Sequence, residues 1–293
     1  MAISLDKMLM ELVKVEGSDL HIEVGMVPKI RVEGQIKNLE VLPPNELEVE
    51  NMIEEMNIDP IYWGRLYDDK STDFRYESKT IGKFRTSIVM SDRGKKITLR
   101  NLNRKIPSLT ELGYEEGLFD DVMNLRQGLV LLTGSTNSGK TTTMASLVQE
   151  LLKRENLNIV TYEDPIEYFY DKLNKSSVIT QRELGRHFLD YPTGIKDSMR
   201  MDPDVIIIGE MRDVDTIRGA VLLSETGHLV ISSLHTNDVE SSNNRMLLVF
   251  QQEERPLIET ILKSSLKFIV SQELNFNPET EKLELKYEYK KYY

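Results

Sequence analysis

The 293-residue sequence contains no cysteine. Disulfides, thiolate metal sites and cysteine nucleophiles are therefore excluded. Positive charge is in short supply: 37 Lys and Arg stand against 48 Asp and Glu, a formal net charge of −11. Non-specific nucleic-acid binding relies on clustered positive charge, so no nucleic-acid partner is expected. Long hydrophobic runs are missing as well; none approaches the roughly 20 residues of a membrane-spanning helix. The opening MAISLDKMLMELVKVEG is amphipathic and carries acids, unlike a secretory leader. Together these absences point to a cytoplasmic chain that meets a membrane through a partner or a surface helix.

What is present divides in two, and the length suffices for two cores. Leu5, Met8, Leu9, Leu12 and Val13 share one face of a helix. Gly17 ends it. LHIEVG alternates like a strand, and PKIRVEGQIKNLEVL reads as two strands joined around Gly34. Pro43, Pro44 and Asn45 break the chain ahead of an acidic helix over 46–56, with a second short helix from Ile61 to Leu66. TDFRYES, GKFRTSIVM and KKITLRNL are further strands, the last two joined by the turn SDRG. This is a small α+β domain over residues 1–104. NLNRKIPSLTELGYEEG has the proline, glycine and polar content of a linker with a short helix, placed at 105–120. Over 121–293 the apolar runs GLVLLTGS, LNIVTYED, PDVIIIGE and HLVISSLH alternate with helical segments. Runs without polar alternation suit strands buried on both faces of a parallel sheet, the α/β class.

Between the first of those runs and a helix lies GSTNSGKTTTM, residues 134–144. It fits G-x-x-x-x-G-K-[ST], the loop whose backbone N–H groups surround phosphates at a helix N-terminus. Gly134, Ser135, Thr136, Asn137, Ser138, Gly139, Lys140, Thr141 and Thr142 are the candidate nucleotide-binding residues. Lys140 would reach the β- and γ-phosphates, and the Thr141 hydroxyl would hold Mg²⁺. The plain alternative is a glycine turn with a solvated lysine. In MDPDVIIIGEMRD, Glu210 lies just past a buried strand, placed to orient Mg²⁺ or polarise an attacking water; the alternative is a strand-end acid capping the next helix. TYEDPIEY sets Glu163, Asp164 and Glu167 after another strand, where a solvated loop competes with a metal or water role. In ETGHLVISSLHTND, His228 and His235 flank a strand at ends roughly 23 Å apart, too far to share a metal. His235 is the one able to reach the γ-phosphate region, while His228 suits structure or an interface.

With these elements in this order, the chain resembles the secretion ATPases of type IV pili and type II secretion, and among them the retraction (PilT) type. GSTNSGKTTTM, YEDPIEY, TQREL, DPDVIIIGEMRD and TGHLVISSLHTND carry the resemblance, with SDLHIEVGMVPKIRVEG in the small domain. It runs from about residue 3 to about residue 274. The resemblance implies a C-terminal RecA-like P-loop ATPase domain with a smaller N-terminal α+β (PAS-like) domain. It implies ATP and Mg²⁺ as cofactors, a homohexameric ring with the active site between protomers, and a cytoplasmic place at the inner face of the membrane. An inner-membrane pilus platform protein and a paralogous motor ATPase are the implied partners. By matching motif, Glu210 corresponds to the catalytic acid, Glu163 to the acid of the "Asp box", and His228 and His235 to the "His box". Thr141, Glu163 and Glu210 become the metal candidates. Arg85 and Arg100 match the small-domain arginines offered to the γ-phosphate, with Arg93 in the turn between them, where a surface salt bridge is the competing role.

The sequence departs from the family at Ser135 and Asn137, where Pro and Gly are usual, although Asn tolerates left-handed backbone angles. It also carries NFNPETEKLELKYEYKKYY where the retraction type continues into a helical segment; the alternating pattern suits an edge strand. The leading expectation is an ATP-hydrolysing ring motor for pilus retraction or related filament dynamics. A non-hydrolysing accessory subunit and a nucleic-acid motor are the alternatives.

Overall fold

The computed structural model describes residues 4–32, 34–102, 105–153, 156–170, 176–279 and 282–292. The chain forms two compact units, Met1–Lys105 and Ile106–Tyr293. The expected domain end at 104 lies outside the described residues.

Unit 1 contains α1 (Leu5–Lys14), β1 (Asp19–Glu23), β2 (Met26–Val32), β3 (Gln35–Asn38), α2 (Glu46–Glu55), α3 (Pro60–Asp68), β4 (Ser71–Ser78), β5 (Gly82–Ser91) and β6 (Gly94–Asn101). Its sheet has the order β3-β2-β1-β6-β5-β4, and every neighbouring pair is antiparallel. Strand residues alternate between faces, and the three helices cover one of them. Leu5, Met8, Leu9 and Leu12 of α1 and Val49, Met52 and Ile53 of α2 pack there on Leu20, Ile22, Phe84, Ile88, Ile97 and Leu99. α2 starts at a capping box: Asn45 accepts from the Glu48 N–H, and the Glu48 carboxylate accepts from the Asn45 N–H. The other face carries Arg31, Asp19, Arg100, Arg85 and Arg75 directly opposite one another in a cross-strand row.

Unit 2 contains α4 (Asp120–Asn124), β7 (Gly128–Thr133), α5 (Lys140–Leu152), β8 (Asn158–Glu163), β9 (Val178–Glu183), α6 (Tyr191–Ser198), β10 (Val205–Ile208), α7 (Val214–Glu225), β11 (Leu229–Leu234), α8 (Val239–Leu248), α9 (Arg255–Ser265), β12 (Leu266–Asn277) and β13 (Lys282–Lys291). The sheet order is β13-β12-β7-β11-β10-β8-β9. All neighbours are parallel except β12 and β13, which form an antiparallel hairpin. β7, β10 and β11 are buried along their whole length, because clusters of apolar side chains cover both sheet faces. β13 takes the edge, as its alternating pattern suits. The segment read as a linker packs instead into this unit: Ile106, Tyr114, Leu118 and Phe119 are buried against α5, β7 and β12. Local proline and polar content hid that burial.

Candidate active site

The strands β7, β11, β10 and β8 lie side by side and parallel. Their C-terminal ends therefore share one edge of the sheet, the usual ligand crevice of open α/β folds. Residues 134–139 follow β7, His235 follows β11, Glu210 follows β10 and Glu163 ends β8.

The loop after β7 is shaped by close backbone approach. Gly134 has φ 143°, and a Cβ there would lie 2.2 Å from the Gln272 carbonyl oxygen and 2.6 Å from Ser138 Oγ. Gly139, with φ 90°, stands at the N-terminus of α5 and provides no side-chain cap. The first N–H groups of that helix are thus left for another acceptor. Asn137 has φ 65°, the left-handed conformation that asparagine accepts more readily than most residues. Lys140 is buried, and its Nζ donates to the carbonyls of Gly134 and Ser135, each at 2.7 Å. Burial pushes its pKa down, opposed by the charge of Glu210. Ser135, Thr136, Asn137 and Thr141 are exposed, while Ser138 Oγ is buried with no hydrogen-bond partner among the described residues. The Thr142 hydroxyl lies 3.0 Å from that of Tyr168. A cationic lysine, unclaimed helix N–H groups and an orphaned hydroxyl around a glycine-lined loop form a cradle that fits a phosphate chain.

Glu210 is held firmly beside it. The Gly209 N–H donates to the Tyr162 carbonyl at 2.8 Å, Ser233 Oγ donates to the Gly209 carbonyl at 2.7 Å, and the Met211 N–H donates to the Ser233 carbonyl at 3.0 Å. One carboxylate oxygen of Glu210 lies 3.0 Å from His235 Nε2, and the other pairs with Arg212. The His235 side chain is 48% exposed and that of Glu210 15%, so the imidazole faces solvent and the carboxylate lies behind it. Glu163 accepts from Thr161 Oγ1 at 2.6 Å and from Gln181 Nε2 at 3.1 Å. Burial nevertheless raises its pKa to about 7, with Glu167 and Glu183 adding to the effect. Tyr191 turns toward this group a buried hydroxyl with no hydrogen-bond partner among the described residues; burial and the negative charge of Asp164, Glu210 and Glu163 push its pKa up.

His228 lies at the opposite end of β11, where Nδ1 is 3.2 Å from the Leu223 carbonyl and 3.4 Å from Thr226 Oγ1. It belongs to the turn after α7 and is apart from the cradle. Within unit 1, Arg85 and Arg100 are cross-strand partners, and Arg100 Nε donates to Asp19 Oδ1 at 2.9 Å. Arg93 is exposed in the β5–β6 turn. Sequence reasoning missed Arg212, Tyr191, Tyr114 and Gln272. Only Gln272 left a signal, a primary amide inside the apolar run FIVSQEL.

Residues 1–285 match the family model described as Type II/IV secretion system protein. The chain belongs to that family. It is 34% identical over 280 residues to the type IV pilus retraction ATPase PilT of Pseudomonas aeruginosa, covering 93% of this chain and 78% of the relative. A twitching motility protein of Neisseria gonorrhoeae is 37% identical over 202 residues, which are 69% of this chain and 53% of that one. The crystal structure of the pilus retraction motor PilT with bound ADP matches with a TM-score of 0.91 at 30% identity, over 99% of this chain and 84% of the other. The mixed α/β fold is that of a secretion ATPase, and the chain is an ATPase of the Type II/IV secretion family.

Proposed function

We propose that the chain is the ATP-hydrolysing subunit of a ring motor that powers type IV pilus retraction, or a related filament movement. The observation that carries this reading is the Glu210–His235 pair, 3.0 Å apart, on the same sheet edge as the Lys140 cradle. Lys140 and the α5 N-terminus bind the phosphates of ATP. Glu210 polarises the attacking water, and His235 orients Glu210 and senses the γ-phosphate region. Among the described residues no group of three or more His, Asp or Glu side chains would hold a metal by itself. That suits Mg²⁺, which takes one or two carboxylates and completes its shell with water and substrate phosphates. The Thr141 hydroxyl, Glu163 and Glu210 would hold it, and the ion would neutralise charge on the phosphate oxygens.

Parallel strands around a P-loop strand support a RecA-like reading of unit 2. An antiparallel sheet with helices on one face supports a PAS-like reading of unit 1. In the proposed homohexamer the unit 1 arginines, Arg85 and Arg100, serve the γ-phosphate and couple hydrolysis to movement. Arg93 and His228 take interface or structural roles. Among the described residues no helix is long and apolar enough to cross a membrane; the ring acts at the inner face of the cytoplasmic membrane, on a platform protein, alongside a paralogous motor ATPase. ATP turnover per protomer, measured against protein concentration with Lys140→Ala as the blank, tests the proposal. A rate that rises with concentration and vanishes in the variant supports it. Nucleotide binding without turnover at any concentration replaces the motor with an accessory subunit.

A further inference from the structure

Gln272 lies on β12, directly beside β7 in the sheet, and only 3% of it is exposed. A buried primary amide needs partners at both ends. Nε2 donates to the Ser138 carbonyl at 2.7 Å, and Oε1 accepts from the Tyr114 hydroxyl at 2.7 Å. The Tyr114 hydroxyl also lies 3.2 Å from Thr143 Oγ1 in α5, and its ring packs on Tyr287 of β13, centroids 4.8 Å apart. Rotating the amide by half a turn would set Oε1 against the Ser138 carbonyl oxygen, so one orientation is enforced. The backbone of the same residue closes on the start of the loop, at the carbonyl that leaves no room for a Cβ on Gly134. At the loop's other end, a Cβ on Gly139 would lie 3.2 Å from Gln272 Nε2. A single residue therefore touches both glycine ends of the cradle and one carbonyl between them.

The consequence follows from peptide planarity. In a trans peptide the C=O and N–H bonds point in opposite directions. Holding the Ser138 carbonyl against β12 turns the Gly139 N–H away from β12, into the loop. We propose that Gln272, locked by Tyr114, is a positioning residue for nucleotide phosphate: it orients the Ser138–Gly139 peptide so that its N–H faces the phosphate chain. The inference rests on the ATPase reading above and adds a role for β12 and for the segment before α4.

Gln272→Met keeps the length of the side chain and removes the donor. Tyr114→Phe keeps the ring packing and unlocks the amide. Calorimetric titration with ADP and with AMP separates phosphate recognition from general damage to the site. Because a hydrogen bond to a charged group is at stake, ADP binding is expected to weaken about tenfold or more in Gln272→Met while AMP binding stays within about twofold. Tyr114→Phe should shift the ADP-to-AMP ratio the same way by less, and it carries the test alone if the first variant does not fold. Equal loss for ADP and AMP, or an unchanged ratio, overturns the proposal. Wild-type binding that depends on Lys140 but not on Gln272 overturns it alone; wild-type protein that binds no ADP removes the ATPase reading as well.

Discussion

Glu163→Gln offers a test with a worked sign. Desolvation raises the Glu163 carboxyl from an ordinary 4.5 to about 7, against the hydrogen bonds from Thr161 and Gln181. Each pH unit of that interval is worth ~1.4 kcal/mol, so ionisation costs the folded chain on the order of 3 kcal/mol. The folded state holds the proton between these two values while the unfolded state has lost it. Stability from this group is therefore present below the unfolded value and declines as pH rises toward 7, levelling off above it. Glutamine keeps an oxygen to accept from Thr161 and Gln181 and has no charge to lose. The stability of Glu163→Gln relative to wild type should thus increase by ~3 kcal/mol between pH 4.5 and pH 8. Urea unfolding in nucleotide-free buffer with a chelator, followed by far-UV circular dichroism, measures the difference at each pH. The single tryptophan, Trp63, lies in unit 1, so its fluorescence follows the other unit and should not distinguish the two proteins. A difference independent of pH would refute the reasoning, since it would place the carboxylate in a solvated site.

Substitutions at two further positions test the packing and capping behind the site. A Cβ on Gly194 would lie 2.9 Å from two ring atoms of Tyr162 and 3.0 Å from Phe188 Cδ2; overpacking of about 1–3 kcal/mol should outweigh the ~1 kcal/mol of helix propensity that alanine adds, and a urea midpoint that rises in Gly194→Ala would show that the rings yield. Asp213 caps α7 by accepting from the Thr216 N–H at 2.8 Å and from its hydroxyl at 2.6 Å, so Asp213→Ala should cost unit 2 about 1–2 kcal/mol while Asp213→Asn recovers most of it, as read by chemical denaturation.

The cradle was legible because its signals are local: a buried run, a spaced pair of glycines, then a helical stripe. The positions of Glu163, Glu210 and His235 were legible for the same reason, each following a run without polar alternation. β9 was not, since VITQRE forms a half-exposed edge strand with no apolar run to mark it. Tyr114 was placed in a linker because its burial depends on Tyr287, against which its ring packs, and on a cluster shared with Phe268, neither of which a local window weighs. The bond between Tyr114 and Gln272 spans 158 positions. No spacing rule reaches that far, so a residue whose task is to hold another element's backbone stays invisible until the chain is folded.

The strand order has a consequence for how the molecule is made. In unit 1 the pairs β2–β3, β4–β5 and β5–β6 are hairpins between chain neighbours, and loops that short close early. β7 has no such neighbour: its ladder partners begin at Leu229 on one side and Leu266 on the other. A ribosome that has just released the phosphate-binding loop has produced no strand to set it against. β7 waits for β11, and the loop lacks its Gln272 contacts until β12 emerges. Contacts of such long range slow folding and expose strand edges meanwhile. A nascent chain interrupted between the end of unit 1 and Gln272 should therefore carry a folded first unit and no nucleotide site.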